Sequence, residues 1–283
     1  MQTLFERIRP AESFPSGLTK EHLTEQLSGF GIAHDDSLLV HSSVGAVGDI
    51  VGGAATLCEA LCDTVPEGLL LAPVHTWATI EGTERTFDPL TEPSCTGILG
   101  EVLLKRNGSV RTLNATHSVA VCGRGAERFA DGEQFSPTPC ARTGCMGKLL
   151  DRNGKILLIG VGLDKCTFLH GIEEWCSVPD RLSEPTVRYI STPSGVYFGM
   201  YRGYDSSVGD VSRFFPKLEA PLLELGVLRE YRLGEARCLL AECAGLLSAV
   251  SRFLIARPEL FSDRRAVPKV LVRSVERELA QLD

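Results

Sequence analysis

Residues 111–123, Arg-Thr-Leu-Asn-Ala-Thr-His-Ser-Val-Ala-Val-Cys-Gly, lead from a polar segment into a short apolar run that ends in glycine. This order predicts a loop that enters a buried strand, with His117 and Ser118 at the junction of loop and sheet. Ligands of α/β proteins collect at the ends of sheet strands. We therefore expect a functional site at this junction.

Apolar runs typical of buried strands occur at residues 37–43, 68–73 and 155–161. They alternate with helical patterns at residues 16–30, 54–64, 97–106 and 166–175. Residues 187–202 predict an antiparallel pair, and residues 227–233 predict an edge strand followed by a long helix from Gly234 to about Ala256. The chain shows no internal repeat and no long linker. We expect one compact α/β domain over residues 1–283, with a central mixed sheet flanked by helices.

The overall composition restricts the classes of protein to consider. The 283 residues are 43% hydrophobic and 23% charged, which is sufficient for a sizeable core. A net charge of −7 argues against a nucleic-acid partner. No apolar run approaches the roughly 20 residues of a membrane helix. Charged residues lie in the first ten positions, where a signal peptide has its apolar core, so we expect a cytoplasmic protein.

Ten cysteines raise the question of a metal site or disulfides. No Cys-x-x-Cys motif occurs, and Cys58 and Cys62 lie four residues apart within a helical pattern. Reduced, mostly buried thiols are therefore favoured over zinc, and we expect no metal.

Four of the six histidines lie at or near the ends of predicted strands: His41, His75, His117 and His170. Any one of them alone is explained by a hydrogen-bonded structural role. Four in equivalent positions favour a common site, because neutral imidazole can transfer protons near neutral pH.

His170 is the strongest candidate for proton transfer, because Glu173 lies three residues later on the same helix face and can orient the ring. The alternative is an ordinary His/Glu pair on the surface of a helix. Ser42, Ser43 and Ser118 are possible nucleophiles, but none lies in a Gly-x-Ser-x-Gly motif, so binding roles suit them better. The glycine-rich turn after residue 43 can present N–H groups to an anionic or extended cofactor.

Three blocks carry a resemblance to the aminoglycoside 3-N-acetyltransferase family. They are Val-His-Ser-Ser at residues 40–43, the stretch at residues 111–123, and Ile-Leu-Leu-Ile-Gly-Val-Gly at residues 156–162 with Thr-Phe-Leu-His-Gly-Ile-Glu at residues 167–173. The resemblance implies acetyl-CoA as the acyl donor, a small-molecule amine as the acceptor, and a fold different from GCN5-type acetyltransferases.

The resemblance and the residue pattern together suggest roles for individual side chains. We expect direct transfer, with His170 as the base, Glu173 as its orienter and His117 polarising the thioester. The acetyl-CoA site is expected to include His41, Ser42, Ser43, Val44, Thr76 and Ser118. The acceptor is expected to contact Asp88, Asn114, Glu133 and Glu174.

Two departures from the family pattern suggest a divergent member. Asn114 and Ala115 stand where the family has His-Pro, and Gly144 and Cys145 stand where relatives have Ser-Pro. A second hypothesis is therefore a CoA-binding protein of the same fold with lost or altered transfer activity, which acts on another amine or as a regulator. A cysteine or serine hydrolase is a third. Exposed strand edges are compatible with a homodimer.

Overall fold

The computed structural model describes residues 17–80 and 86–281. Within them, a seven-stranded sheet has the order β4-β5-β2-β1-β6-β10-β9 and a three-stranded sheet has the order β3-β7-β8. The strands are β1 (Ser37–Ser42), β2 (Leu69–Pro73), β3 (Thr86–Phe87), β4 (Val110–Arg111), β5 (Val119–Gly123), β6 (Lys155–Ile159), β7 (Thr186–Thr192), β8 (Gly195–Tyr201), β9 (Leu228–Leu233) and β10 (Ala236–Glu242). The helices are α1 (Lys20–Ser28), α2 (Ala54–Thr64), α3 (Ile98–Leu104), α4 (Ala126–Ala130), α5 (Cys145–Asp151), α6 (Thr167–Trp175), α7 (Glu219–Glu224), α8 (Cys243–Ala256) and α9 (Lys269–Leu279).

The large sheet is mixed, as predicted. β1 lies between β2 and β6 and is parallel to both, whereas β5 runs antiparallel to β2 and β10 antiparallel to β6. The carboxyl ends of β1, β2 and β6 therefore lie at the same edge as the start of β5. This arrangement brings the junction at residues 117–118 to the ends of the parallel strands.

Both faces of the large sheet are buried, because successive strand residues point to opposite sides. Leu38 and Val40 of β1 pack in one apolar cluster together with residues of α1, α2 and α3. Leu39 of β1 packs in a second cluster with residues of α5, α6 and α8. Two covered faces explain why β1, β2 and β6 are continuous apolar runs rather than alternating ones.

The first helix begins later than the predicted residue 16, which lies outside the described residues. Its cap is the predicted Thr19, whose hydroxyl accepts a hydrogen bond from the backbone N–H of His22. The His22 side chain accepts in return from the backbone N–H of Thr19. No helix in the described ranges is long and apolar enough to cross a membrane.

The prediction of one long helix from Gly234 to Ala256 is wrong in its first half. Residues Ala236–Glu242 form β10, which pairs with β9 on one side and β6 on the other, and only Cys243–Ala256 is helical. Gly234 has φ of +56°, a left-handed conformation that turns the chain into the β9–β10 hairpin. The short apolar run was ambiguous between helix and strand, and pairing with the distant β6 decided it.

Candidate active site

Four histidines meet at one cavity of about 990 Å³ at the edge of the sheet. His41 lies on β1, His75 follows β2, His117 precedes β5 and His170 lies on α6. The His75 and His117 rings are in contact, with centroids 4.6 Å apart. The structure therefore brings together the four histidines whose positions the sequence singled out.

His75 is fixed as a neutral imidazole in one tautomer. Its Nδ1 lies 3.0 Å from the backbone carbonyl of Ser118, so Nδ1 carries the hydrogen and donates. Its Nε2 accepts from the hydroxyl of Thr167 at 3.1 Å. Burial lowers the pKa of His75 to about 4. His75 thus links the loop before β5 to the start of α6.

His117 is also kept neutral. Burial, together with the nearby His75 and His170, lowers its pKa well below the usual value. Its Nδ1 lies 2.8 Å from the hydroxyl of Thr116, which also contacts the Tyr201 hydroxyl. The ring edge meets the Tyr204 ring, with centroids 5.2 Å apart. His117 is therefore held from two sides while it lines the cavity.

Asn114 fixes the conformation of the loop that carries His117. Its Oδ1 accepts from the backbone N–H groups of Thr116 and His117, at 3.2 and 2.9 Å, and lies 3.1 Å from the Tyr201 hydroxyl oxygen. Its Nδ2 donates to the carbonyls of Thr138 and Pro139. Every polar atom of this buried amide has a protein partner, so the structure gives Asn114 a positioning task and does not place it on the cavity wall.

His170, Glu173 and Arg181 form a chain of charged and titratable groups in which Glu173 and Arg181 are buried and His170 is partly buried. His170 Nδ1 lies 3.4 Å from Glu173 Oε2. These two atoms face each other without hydrogen-bond alignment, and neither has another hydrogen-bond partner among the described residues. Glu173 Oε1 accepts from Arg181 Nε at 2.5 Å, and both side chains are buried. The carboxylate thus lies between an imidazole and a guanidinium.

Aromatic rings hold the His170 imidazole in place. Tyr204 stacks on it with centroids 4.5 Å apart, and Phe215 meets it edge-on at 4.8 Å. The His170 side chain keeps 14% of its exposure and lines the cavity, whereas its Nδ1 is buried on the Glu173 side. The opposite edge of the ring, which carries Nε2, is therefore the part available to a bound molecule.

His41 differs from the other three histidines, because its Nε2 is buried without a hydrogen-bond partner among the described residues. Burial, with a smaller effect of the neighbouring His75, lowers the pKa of His41 to about 3. Ser42 follows it on the cavity wall, Ser43 precedes the short 3-10 helix Val44–Val47, and Val44 is the first residue of that helix. These four predicted cofactor residues are contiguous at the end of β1.

Thr76 and Ser118, also predicted to bind the cofactor, have structural partners instead. The Thr76 hydroxyl donates to the Ala115 carbonyl at 2.5 Å. The Ser118 hydroxyl donates to the Val74 carbonyl at 2.7 Å and accepts from Arg111 Nε at 3.1 Å. Neither side chain is among the cavity-lining residues. These hydroxyl groups fasten the loop before β5 to the segment after β2.

The predicted acceptor residues Asp88, Glu133 and Glu174 are likewise away from the described cavity wall. Asp88 accepts from the backbone N–H of Leu90 in a turn. Glu174 accepts from Thr138, Cys140 and Tyr204, and so ties the loop after residue 136 to α6. Burial raises the pKa of Glu133 to about 7, with Lys148 opposing the effect. The acidic side chains that do line the cavity are Asp164, Asp205 and Asp210.

Sequence reasoning missed Arg181, Tyr204 and Thr167. Arg181 lies after α6 in an irregular segment in which Ser177 and Asp180 adopt positive φ, and Tyr204 lies just beyond β8. Neither stands in a recognisable motif. The polar position of Thr167 at the first residue of α6 was the only local signal. Within the described residues, no cluster of three or more histidine, cysteine or acidic side chains is arranged to hold a metal ion.

Comparison with known proteins identifies the family of this chain. The family model for aminoglycoside 3-N-acetyltransferase matches residues 39–254. Aminoglycoside N(3)-acetyltransferase VIII of Streptomyces fradiae is 25% identical over 256 residues, covering 81% of this chain and 89% of that protein. Enzyme VII of Streptomyces paromomycinus is 29% identical over 187 residues, which cover 58% of this chain and 63% of the relative.

Solved structures show the same fold. AAC-IIIb in a binary complex with CoASH superposes with a TM-score of 0.75 at 26% identity, covering 86% of this chain and 98% of that one. The aminoglycoside acetyltransferase AAC(3)-Xa also superposes with a TM-score of 0.75, at 24% identity, covering 87% of this chain and 94% of that one. The chain belongs to the aminoglycoside 3-N-acetyltransferase family, whose members are acetyl-CoA-dependent N-acetyltransferases. The predicted family and fold class are confirmed.

Proposed function

We propose that this protein transfers the acetyl group of acetyl-CoA directly to a primary amine of a small, aminoglycoside-like molecule, with His170 as the general base. The observation that carries the proposal is the chain of contacts from His170, on the wall of the cavity, to the buried Glu173 and Arg181. An amine attacks a thioester only when it has lost its proton. A positioned base contributes roughly 10²–10⁴ to the rate of such a step.

His170 would receive the proton on Nε2, since Nδ1 is buried beside Glu173. The Glu173 carboxylate would stabilise the imidazolium that forms. Arg181 is a positioning residue, because it touches Glu173 and fixes one carboxylate oxygen so that the other faces the ring. The aromatic contacts of Tyr204 and Phe215 limit rotation of the imidazole. This chain of contacts supports proton transfer at one defined atom.

His117 would donate a hydrogen bond to the thioester oxygen as negative charge develops on it. That role requires the hydrogen on Nε2. In the corresponding hydrogen-bond arrangement the single Tyr201 hydrogen is directed to Thr116 and not to Asn114 Oδ1, and Thr116 donates to His117 Nδ1. The low pKa of His117 suits this assignment, because a neutral ring does not repel a cationic acceptor.

The end of β1 is the part of the cavity best suited to acetyl-CoA. His41 and Ser42 line the wall, and the first N–H groups of the 3-10 helix after Ser43 have no partner within that helix. Gly97 approaches this strand so closely that an added Cβ would lie 3.2 Å from the Ser42 carbonyl. The binary complex of AAC-IIIb with CoASH, a relative of the same fold, supports a CoA site in this family.

The acceptor is proposed to be a cationic amine because relatives are named as aminoglycoside N(3)-acetyltransferases. The cavity wall carries three acidic side chains, Asp164, Asp205 and Asp210, and three basic ones, Lys165, Arg181 and Arg188. Asp205 and Asp210 are exposed there. They would attract an ammonium group toward the His170 side of the cavity.

Substitution of His170 by alanine tests the proposal. We expect turnover to fall by at least about a hundredfold. Turnover is measured as release of the CoA thiol in the presence of a panel of amines. Acetyl-CoA binding, measured by calorimetry, should stay unchanged, because the expected donor site lies at the end of β1. Retained turnover would exclude His170 as the base. Acetyl-CoA binding by the unmodified protein without thiol release for any amine would instead favour the non-catalytic CoA-binding hypothesis.

A further inference from the structure

The outer face of the three-stranded sheet carries a continuous row of exposed apolar side chains. β7 and β8 pair antiparallel, with Val187 opposite Met200 and Tyr189 opposite Phe198. Residues that alternate with these point inward, and among them Ile190 is buried. The outer apolar face, as we call it, consists of Val187, Tyr189, Val196, Phe198 and Met200.

Among the described residues this face is unusual because it lacks charge. The outward positions of β7 and β8 hold the five apolar residues and Ser191, and Thr86 of β3 lies beside Tyr189 on the same face, whereas 23% of the whole sequence is charged. β8 is also the outer strand of its sheet, with the sequence Gly-Val-Tyr-Phe-Gly-Met-Tyr. Exposed outer strands of monomers are usually protected by charged residues or proline, and β8 has neither. The composition is that of a covered surface.

The exposed area is large enough for a specific contact. Phe198 is 75% exposed, Val196 61% and Met200 57%. With side-chain areas of about 150–250 Å², the five residues expose roughly 500 Å² per chain. Two copies packed through this face would bury about 1,000 Å², the lower size limit of specific protein interfaces. Contacts around the rim would add to that area.

We propose that the outer apolar face is the contact between two copies of this chain related by a twofold axis. A twofold contact places the same patch of each copy against the other, so the patch must tolerate meeting itself. A face without charges can pack against its own copy, because no like charges are brought together in the contact. Each chain nevertheless carries a net charge of −7 elsewhere. Two sheets packed face to face at about 10 Å would interdigitate the aromatic and aliphatic side chains.

The contact would also support the cavity. The same two strands place Arg188 on the cavity wall and Tyr201 against Thr116 on their inward side. Packing of the outer face holds these strands from behind. Because the buried area is near the lower limit, we expect a dimer that dissociates on dilution in the micromolar range.

Sedimentation equilibrium of the full chain tests the proposal. The unmodified protein, of 30.7 kDa per chain, should approach twice that mass at high concentration. Phe198→Glu should be monomeric at every concentration, because two charges would be buried opposite each other. Ile255→Glu is the matched control, since Ile255 is equally exposed at 76% but lies on α8, away from the face. This control should dimerise like the unmodified protein.

Three results would overturn the proposal. The first is an unmodified protein that stays at 30.7 kDa up to its solubility limit. The second is a Phe198→Glu variant that folds, shown by an unchanged thermal midpoint and turnover, and still dimerises. The third is a monomer that binds phosphatidylcholine vesicles through Phe198, which would assign the face to a lipid surface. If Phe198→Glu does not fold, Met200→Gln provides the same comparison with a milder change.

Discussion

At the scale of single residues, Arg181 has the clearest effect on the proposed chemistry. A carboxylate as buried as Glu173 is unfavourable without a partner, and the Arg181 guanidinium supplies a positive charge and a short hydrogen bond. Arg181 is itself held by strained backbone, since Ser177 and Asp180 adopt φ of 53° and 58°. The Asp180 carboxylate accepts hydrogen bonds from Ser206 and Ser207, which anchors the segment beside Tyr204.

We expect Arg181→Met to lower kcat/KM at neutral pH by about tenfold to a hundredfold. The loss is smaller than the full rate contribution of a positioned base, because His170 itself remains. Without the guanidinium, one Glu173 oxygen loses the hydrogen bond that fixes it, so the other oxygen is no longer held facing His170. Arg181→Lys keeps the charge beside Glu173 and should retain more of the activity than Arg181→Met.

The other groups facing His170 and Glu173, which are His75, His117, Glu174, Tyr204 and Cys176, are the same in both variants. A purely structural role for Arg181 would lower the thermal midpoint and would reduce activity equally in Arg181→Met and Arg181→Lys. Full activity of a folded Arg181→Met variant would contradict the positioning role. KM for acetyl-CoA should not change in either variant.

At the scale of secondary structure, the β9–β10 hairpin positions the strand that leads to His170. β10 pairs with β6, and the chain after β6 enters α6. The hairpin depends on Gly234, where an added Cβ would lie 2.3 Å from the Val47 carbonyl oxygen and 2.5 Å from a Leu18 methyl carbon. Gly234 therefore needs both its left-handed conformation and its lack of a side chain.

Gly234→Ala should reduce the free energy of unfolding by roughly 2–4 kcal/mol, from backbone strain together with overpacking. Gly226→Ala is a matched control, because Gly226 also has positive φ, +70°, but open space around its Cβ position. It should cost only about 1 kcal/mol from strain. Urea unfolding of the two variants measures the difference. Equal costs would show that the close approach at Gly234 relaxes easily.

At the scale of the whole molecule, buried titratable groups should make stability depend on pH. The pKa of His75 is about 4 in the folded protein, below the usual 6.5, so the unfolded chain takes up its proton first as the pH falls. The contribution of His75 to folding stability is therefore complete above pH 6.5 and is lost as the pH falls from 6.5 to 4. Glu133 acts in the opposite direction, since its pKa of about 7 makes the folded state less stable as the pH rises from 4.5 to 7.

Urea unfolding between pH 4 and 8 should separate the two effects. His75→Asn should reduce the loss of stability on acidification, by up to roughly 3 kcal/mol between pH 6.5 and 4. Glu133→Gln should raise stability at pH 8 relative to pH 5, by an amount of similar order. The two substitutions should change the slope of the unfolding free energy against pH in opposite directions. Slopes equal to that of the unmodified protein would show that these groups titrate normally in the folded state.

Much of the fold and part of the candidate site follow from local sequence. β1, β2 and β6 are short apolar runs bounded by polar or glycine residues, and α2 begins and ends as predicted. A strand ends where its apolar run ends, so the positions of His41, His75 and His117 followed as well. The His170–Glu173 spacing is likewise a local property of a helix. These features depend on neighbouring residues and needed no knowledge of the rest of the chain.

Only the tertiary structure decided the roles of most polar side chains. Whether Ser118, Thr76 or Asn114 is free to bind a ligand depends on backbone groups brought close by the fold, which satisfy all three. Arg181 reaches Glu173, and Tyr204 reaches His170, through irregular segments that carry no periodic signal. β10 is a strand because β6 and β9 flank it. Long-range hydrogen bonds and burial determine such features, and spacing along the sequence does not encode them.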